Sequence, residues 1–313
     1  MRFSRRSLMA SALVVGLAAL SACSSGTSGS TAASSGSSVA PVINVVASTN
    51  VWGDVAAQVA GGLNANGVSI TSIISDPSAD PHSYEASTQN QLALSRAQVV
   101  IENGGGYDDF VANMLKTANN SSSTVLNAVD ISGIKAPAGE DLNEHVWYDF
   151  PTVTKVARQI SDTFGEKDPA NKHIYDTNEK AFEDKVSGLQ NDEAGIKQAH
   201  NGAPVAITEP VPLYMLEACG LENKTPEEFS EAVENGTDVS ASVLKETTDL
   251  FNDKGVKLLA YNEQTTGDTT TAVLNAAKAN NIPVVPVTET LPDGKNYISW
   301  MQMNLDNISK ALG

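Results

Sequence analysis

ANKHIYDTNEKAFEDKVSGLQNDEAGIKQAH, residues 170–200, decides the architecture of this chain of 313 residues. Apolar side chains recur at helical spacing from Ile174 to Ile196, which predicts one long amphipathic helix. A helix of about 30 residues is about 45 Å long, enough to run along a whole small domain. PTVTKVARQISDTFGEKDP (151–169) predicts a further helix just before it. We therefore expect this stiff helix to separate an N-terminal part of the chain from a C-terminal part.

Strand-like and helix-like segments alternate on both sides of this helix. The predicted strands are 42–49, 68–75, 99–106, 123–129, 203–209, 256–263 and 282–289. The predicted helices between and after them are 51–61, 88–97, 107–118, 213–221, 240–255, 269–281 and 296–312. Such alternation is typical of a mostly parallel sheet with helices on both faces. We expect an α/β fold of two doubly wound lobes (41–165 and 202–313), each a parallel-sheet sandwich, joined by a long rigid backbone helix (166–201).

The first 23 residues have the layout of an export signal. A basic start is followed by an apolar run at 8–20 that is too short to span a bilayer. LSAC (20–23) resembles the bacterial lipobox, which predicts a signal peptide over 1–23 and lipidation of Cys23; an ordinary secreted protein is the alternative. SRRSL (4–8) also resembles a twin-arginine signal, so the export route stays open. The small, uncharged residues 24–40 predict a flexible tether, and we expect the outer face of the cell membrane as the location.

Charge and cysteine content exclude several classes of function. Removing the predicted leader, with three arginines and no acidic residue, takes the net charge from −17 to about −20. Nucleic-acid binding needs basic patches, so this balance argues against it and favours the attraction of cations. Cys219 is the one cysteine after Cys23, so no disulfide forms without the predicted lipid-bearing residue. We expect Cys219 to lie in the core.

Histidine and glutamate side chains fall where predicted strands end or loops begin, which is where an open α/β sheet presents its ligand crevice. His82 lies in DPSADPHSYE (76–85) and His145 in NEHVWYDFP (143–151). Glu209 ends APVAITE (203–209) and Glu289 ends IPVVPVTE (282–289). Two imidazoles and two carboxylates suit a divalent ion such as Mn²⁺, Zn²⁺ or Fe²⁺.

Each of these residues also has a plainer interpretation, because their wide separation forms no local metal motif. Either histidine alone is compatible with a solvated surface group, and Glu209 with a cap of the following helix. Glu289 is compatible with a surface acid near a turn. In that case Glu263, in AYNEQTTGD (260–268), is the substitute fourth ligand.

Longer motifs around these residues resemble the metal-binding lipoproteins of bacterial ABC importers for manganese and zinc. This ZnuA-like family (cluster A-I) includes streptococcal surface adhesin lipoproteins. The matching segments are DPHSYEASTQNQLALSRAQVVIENGGGYDDFVANML (80–115), EHVWYDFPTV (144–153), ITEPVPLY (207–214) and VTETLPDGKNYISWMQMNLDNISKAL (287–312). The resemblance covers about 41–313 and implies the metal ligands His82, His145, Glu209 and Glu289.

The chain departs from the family pattern just before His145 and at Glu289. Glu144 stands where the family has a proline, and Glu289 stands where it usually has aspartate. Glutamate at 209 in place of the histidine of zinc-specific members, together with the lack of a long His/Asp-rich loop, favours manganese.

The resemblance implies an extracytoplasmic solute-binding protein that captures a divalent metal and delivers it to an ABC permease with its ATPase subunit. We expect a lipid-anchored monomer without enzymatic activity. The first alternative is a metal-dependent hydrolase, which needs an open metal position and a base, and no H-E-x-x-H motif supplies them. The second alternative is an adhesion lipoprotein with a structural metal.

Overall fold

The computed structural model describes residues 43–65, 67–79, 81, 84, 87–136 and 142–313, which belong to one compact unit. The predicted signal peptide with Cys23, the tether 24–40 and His82 lie outside these residues. Within the described ranges, no helix has both the length and the apolar character needed to cross a membrane.

The N-terminal lobe is built on a parallel sheet with the strand order β2-β1-β3-β4. Its strands are β1 (Ile43–Thr49), β2 (Val68–Ile74), β3 (Val99–Glu102) and β4 (Thr124–Asn127). Its helices are α1 (Asn50–Ala60), α2 (Thr88–Arg96), α3 (Asp109–Ala118) and α4 (Ala128–Ser132). The strand β1 is buried along almost its whole length, as expected for a central strand covered on both faces.

Two consecutive helices follow, α5 (Phe150–Lys167) and α6 (Lys172–His200). Asp149 caps α5 by accepting a hydrogen bond from the Thr152 backbone N–H. The 29 residues of α6 confirm the predicted long helix. Its buried positions recur every three or four residues: Tyr175, Glu179, Phe182, Val186, Leu189, Glu193 and Ile196. This stripe packs against α1 and α5 on the N-terminal side and against two helices of the second lobe, Leu213–Ala218 and Tyr297–Leu312.

The C-terminal lobe repeats the topology, with a parallel sheet in the order β6-β5-β7-β8. Its strands are β5 (Pro204–Ile207), β6 (Glu222–Asn223), β7 (Leu259–Asn262) and β8 (Val284–Val287). Its helices are α7 (Leu213–Ala218), α8 (Glu227–Glu234), α9 (Ala241–Asn252), α10 (Asp268–Ala279) and α11 (Tyr297–Leu312). The predicted α/β fold of two doubly wound lobes joined by a long helix is confirmed.

One cluster of buried apolar side chains extends through both lobes. It runs from Ile43 on β1, through Phe182 on α6, to Val285 on β8 and Ile308 on α11. The predicted burial of Cys219 is confirmed, and burial raises the pKa of its thiol to about 12. The lobes therefore share this central cluster, and each lobe also has a smaller cluster of its own, around Val100 in the N-terminal lobe and around Phe251 in the C-terminal lobe.

The structure differs from the sequence prediction in the length of the strands and in one helix. Several strands are shorter than predicted, since β3 ends at Glu102 and the glycines that follow lie in the loop. The segment 222–239 had no predicted element, yet it holds β6 and α8. Eight residues of helix give too few turns for an amphipathic pattern to be recognised.

Candidate metal site

His145 lies at the entrance to a short 3₁₀-helix, Val146–Tyr148, that leads into α5. Its side chain is fully buried, although the residue belongs to a loop. The ring packs edge-on against Trp147, with the ring centroids 5.0 Å apart. The predicted alternative of a solvated surface histidine does not describe this position.

Asn143 fixes the orientation and the tautomer of the imidazole. Its Oδ1 accepts the backbone N–H of His145 and lies 2.8 Å from the ring Nδ1. Because that amide oxygen can only accept, Nδ1 of the neutral ring carries the proton and Nε2 presents a lone pair. Among the described residues, this Nε2 has no hydrogen-bond partner. The ring therefore offers one nitrogen for a cation.

The same asparagine ties the loop to the second lobe. Its Nδ2 donates to the carbonyl oxygen of Pro210 at 3.2 Å, next to Glu209. Its own carbonyl oxygen accepts a hydrogen bond of 2.7 Å from the hydroxyl of Tyr214. The loop that holds His145 is thus positioned by two residues that follow Glu209 in the sequence.

Glu209 lies two residues beyond the end of β5 and is almost completely buried. Its carboxyl pKa is raised to about 8, mainly by burial and in addition by the nearby carboxylates of Glu234 and Glu289. Hydrogen bonds from Asn262 and Thr265 partly offset this rise. The helix after it, α7, begins at a Pro212 cap without a side-chain cap bond, so Glu209 does not cap it. A carboxylate held in a pocket with two others is a site for positive charge.

Glu289 follows β8 and is also buried. Asn262 donates to its Oε1 at 2.8 Å, and its backbone N–H donates to Oε1 of Gln264. Burial raises the pKa of Tyr107 well above its ordinary value, and the Glu289 carboxylate adds to the rise. Tyr107 belongs to the N-terminal lobe, so Glu289 faces that lobe across the cleft.

Glu234, the last residue of α8, is a member of this cluster that the sequence analysis missed. Its Oε1 lies 3.5 Å from Nε2 of His145, and its side chain is 10% exposed. Ligand atoms of Glu144, His145 and Glu234 all lie within 4.8 Å of one another. EAVENG (231–236) carries no metal-binding signature, so only the tertiary structure brings this carboxylate to the histidine.

The remaining candidates from the sequence are Glu263 and His82. Glu263 follows β7 directly, but its side chain is exposed. The loop before His82 is held across the cleft, because the Gln264 amide nitrogen lies 3.2 Å from the carbonyl oxygen of Pro77 and 2.9 Å from that of Ala79. The hydroxyl of Thr290 also donates to Pro77, at 2.9 Å.

A cavity of about 660 Å³ lies between the lobes beside the cluster. Its lining includes five glutamates and one lysine: Glu144, Glu217, Glu227, Glu231, Glu234 and Lys135. Walls with an excess of negative charge raise the local concentration of cations. The fold and the site together define a two-lobed binding protein with a buried acidic cleft.

Comparison with known proteins assigns the chain to a family. The family described as "ZnuA: Zinc-uptake complex component A periplasmic" matches residues 45–311, and the chain belongs to it. A curated relative, the "Manganese ABC transporter substrate-binding lipoprotein scaA" of Streptococcus gordonii, is 27% identical over 292 residues, which cover 86% of this chain and 89% of the relative.

Solved structures share the fold. The structure described as "Crystal structure of ZnuA" superposes with a TM-score of 0.70 at 20% identity, covering 87% of this chain and 99% of that one. The substrate-binding protein FpvC from Pseudomonas aeruginosa, solved in complex with Mn²⁺, gives a TM-score of 0.70 at 20% identity, covering 86% and 98%.

Proposed function

We propose that this protein is the extracytoplasmic substrate-binding protein of an ABC importer, and that it captures a divalent transition metal in the interlobe cleft. The proposed ligands are His82, His145, Glu209 and Glu289. The single observation that carries the proposal is the buried His145 ring, whose Nε2 lies 3.5 Å from a carboxylate oxygen of the other lobe, Oε1 of Glu234.

The choice of Glu289 as the fourth ligand is supported by its burial. Glu289 is 1% exposed and faces Tyr107 across the cleft, whereas Glu263 is exposed. Strand geometry explains the difference, because successive side chains point to opposite faces. Asn262, at the end of β7, points into the buried cluster, so its neighbour Glu263 points away.

The donor set favours Mn²⁺ as cargo over Zn²⁺ and Fe²⁺. Carboxylate oxygens suit Mn²⁺, while Zn²⁺ binds most nitrogen and oxygen sites more tightly in absolute terms. The name of the relative from Streptococcus gordonii supports manganese, and the family description supports zinc uptake. Relative affinity for the two ions is therefore the quantity to measure.

The proposed partners are an ABC permease and its ATPase subunit, which receive the ion from the cleft. The relative's designation as a lipoprotein supports lipid anchoring at Cys23 and a location on the outer face of the membrane. The proposal places no nucleic acid and no catalytic step at this site, and it describes a monomer.

The test is metal binding by residues 24–313, which leave out the leader and the predicted lipid-bearing Cys23. The metal content of protein purified without added metal is measured by plasma mass spectrometry. Calorimetric titrations of Mn²⁺ and Zn²⁺ follow after chelation, with His145→Ala as the site variant and His173→Ala as a matched control. His173 lies on an exposed face of α6.

We expect one equivalent of metal on the parent protein and on His173→Ala. In His145→Ala the affinity falls by a factor on the order of 100 or more, because a nitrogen ligand is lost. If the parent protein binds neither Mn²⁺ nor Zn²⁺, the proposed function is wrong. The cleft would then be tested for binding of an organic ligand.

A further inference from the structure

The loop between β8 and α11, residues 288–296, carries the proposed ligand Glu289 and belongs to no helix or strand. Its backbone is therefore not held by the hydrogen bonds of a sheet or a helix. Backbone N–H and C=O groups that leave water still need partners. Two residues after Glu289, a single side chain of the N-terminal lobe supplies both partners.

This side chain is Asn50, the first residue of α1. Its Nδ2 donates to the carbonyl oxygen of Leu291, and the backbone N–H of Leu291 donates to its Oδ1, both at 2.9 Å. A side-chain amide has a donor and an acceptor side by side, so the two bonds together fix where Leu291 lies. The side chain of Leu291 is buried in the cluster that both lobes share. The loop is thus attached to the N-terminal lobe by polar and apolar contacts.

The residues directly before and after Glu289 bind the N-terminal lobe as well. The hydroxyl of Tyr148 donates to the carbonyl oxygen of Thr288 at 2.9 Å. The hydroxyl of Thr290 donates to the carbonyl oxygen of Pro77, also at 2.9 Å. The chain enters this loop from the C-terminal sheet, yet the loop is bound to the other lobe on both sides of the ligand.

The helix α1 also holds the far end of the loop. Asp54 accepts the backbone N–H of Tyr297, the first residue of α11, at 2.8 Å. Asn50 and Asp54 are four residues apart, so they lie on the same face of α1. Of the two, Asn50 binds the loop closer to Glu289.

We propose that Asn50 is a positioning residue for Glu289, because its amide holds the loop of this ligand at a fixed place relative to His145. The inference rests on the proposed function, in which Glu289 is a ligand. A loop that is fixed before the ion arrives loses less conformational freedom on binding. Without the amide the loop samples more conformations, so the affinity for the ion falls. Most of such a change lies in the dissociation rate.

The test compares Asn50→Ala with Asn178→Ala in residues 24–313, by calorimetric titration with Mn²⁺ and with Zn²⁺. Asn178, on α6, donates to the carbonyl oxygen of Val59 at the other end of α1. Each variant replaces a half-buried asparagine and removes side-chain hydrogen bonds to the backbone, so both should destabilise the metal-free protein slightly. We expect the affinity to fall about tenfold in Asn50→Ala, as for residues that orient a ligand, and Asn178→Ala to bind like the parent protein.

A double-mutant cycle shows whether Asn50 acts through Glu289. Asn50→Ala is also made in the Glu289→Gln protein, which keeps the size of the side chain and lacks its charge. There we expect Asn50→Ala to lower the affinity by less than about threefold, because the carboxylate that it positions is gone. A loss as large as in the parent background would show that Asn50 acts by another route and would overturn the proposal.

The remaining outcomes separate this proposal from the proposed function. Parent-like affinity in Asn50→Ala, or an equal loss in Asn178→Ala, overturns the positioning role and leaves metal capture intact. Parent-like affinity in Glu289→Gln removes Glu289 from the ligands and the positioning role with it. A parent protein that binds neither ion overturns both proposals.

If Asn50→Ala does not fold, Asn50→Asp replaces it under the same thresholds. A carboxylate suits the first turn of a helix and still accepts the backbone N–H of Leu291. It cannot donate to the carbonyl oxygen of Leu291, so half of the attachment is lost.

Discussion

The side-chain amide nitrogen of Gln264 lies 2.9 Å from the carbonyl oxygen of Ala79, across the cleft between the two lobes. The oxygen of the same amide accepts the backbone N–H of Glu289. One side chain therefore connects the loop that leads to His82 with the backbone of another proposed ligand. The side-chain amide of Gln264 forms these hydrogen bonds with backbone atoms, so we expect its effect on ion binding to be indirect.

Replacing Gln264 by alanine should loosen both loops at once. We expect the metal affinity to fall by about tenfold, mainly through faster dissociation, because the hydrogen bonds across the closed cleft are lost. Stopped-flow chelation of the loaded protein measures the dissociation rate. Gln302→Ala, which removes surface hydrogen bonds on α11, is the control and should leave the rate unchanged. Equal rates in the two variants would contradict this role of Gln264.

Asn143 should matter for metal binding without contacting the ion. Asn143→Ala removes the acceptor that holds the Nδ1–H of His145, so the ring can turn and change tautomer. We expect a 10- to 100-fold loss of affinity, measured by competition with a chelator. Asn143→Asp keeps an acceptor for the ring and should restore most of the affinity. If Asn143→Asp binds metal as weakly as Asn143→Ala, the role of Asn143 is structural and does not depend on the hydrogen bond to the ring.

The stability of the metal-free protein should decrease as the pH rises through the neutral range. Burial raises the pKa of Glu193 on α6 from 4.5 to about 8, with a smaller effect of Asp149. The folded state then holds a proton that the unfolded state releases. Its contribution is fully present below pH 4.5 and is lost as the pH approaches about 8.

Denaturant unfolding of the metal-free domain at several values across this pH range checks the effect. Glu193→Gln is neutral at every pH and should reduce the dependence, leaving the part that Glu209 contributes, while Glu183→Gln on a more exposed face of α6 should not reduce it. Parallel curves for the parent protein and Glu193→Gln would show that Glu193 does not cause the decrease.

Phe182→Ala should test whether the lobes share one core. Phe182 is 1% exposed on α6, and its ring centroid is 6.0 Å from that of Tyr297 on α11. The lost burial and the resulting cavity should lower the free energy of unfolding by about 3–5 kcal/mol. Calorimetry should still show one transition. Lys185→Ala, at an exposed position of the same helix, should change the free energy by less than about 0.5 kcal/mol.

The long helix and the β/α alternation could be predicted because each depends on the pattern of apolar and polar residues within a short stretch of sequence. The spacing of apolar residues between Ile174 and Ile196 predicts α6, and strand ends locate Glu209 and Glu289 in loops. The choice between Glu263 and Glu289 depends on which way a side chain points. The alternation along β7 favours Glu289 only once the direction of Asn262 is known.

The position of Glu234 beside His145 could not be predicted in the same way. It ends a helix of only eight residues, preceded by a proline, in a stretch with no predicted element. Its partner His145 is far away in the sequence, on the other lobe, and their meeting depends on how the lobes dock. A carboxylate at the end of a short helix is indistinguishable from an ordinary solvated residue until that docking is known.

The buried cluster that the two lobes share, through β1, α6 and α11, limits how this protein can give up an ion. Separating the lobes widely would expose the apolar surface buried between them, at about 25 cal/mol for each Å². Opening is therefore confined to the loops at the mouth of the cleft, where fewer buried contacts are lost. Amide hydrogen exchange in those loops should then respond to cargo, while the radius of gyration of the whole protein stays constant. A receptor on the membrane would therefore distinguish the loaded protein from the empty one by the conformation of the loops at the mouth of the cleft, and not by the overall shape of the protein.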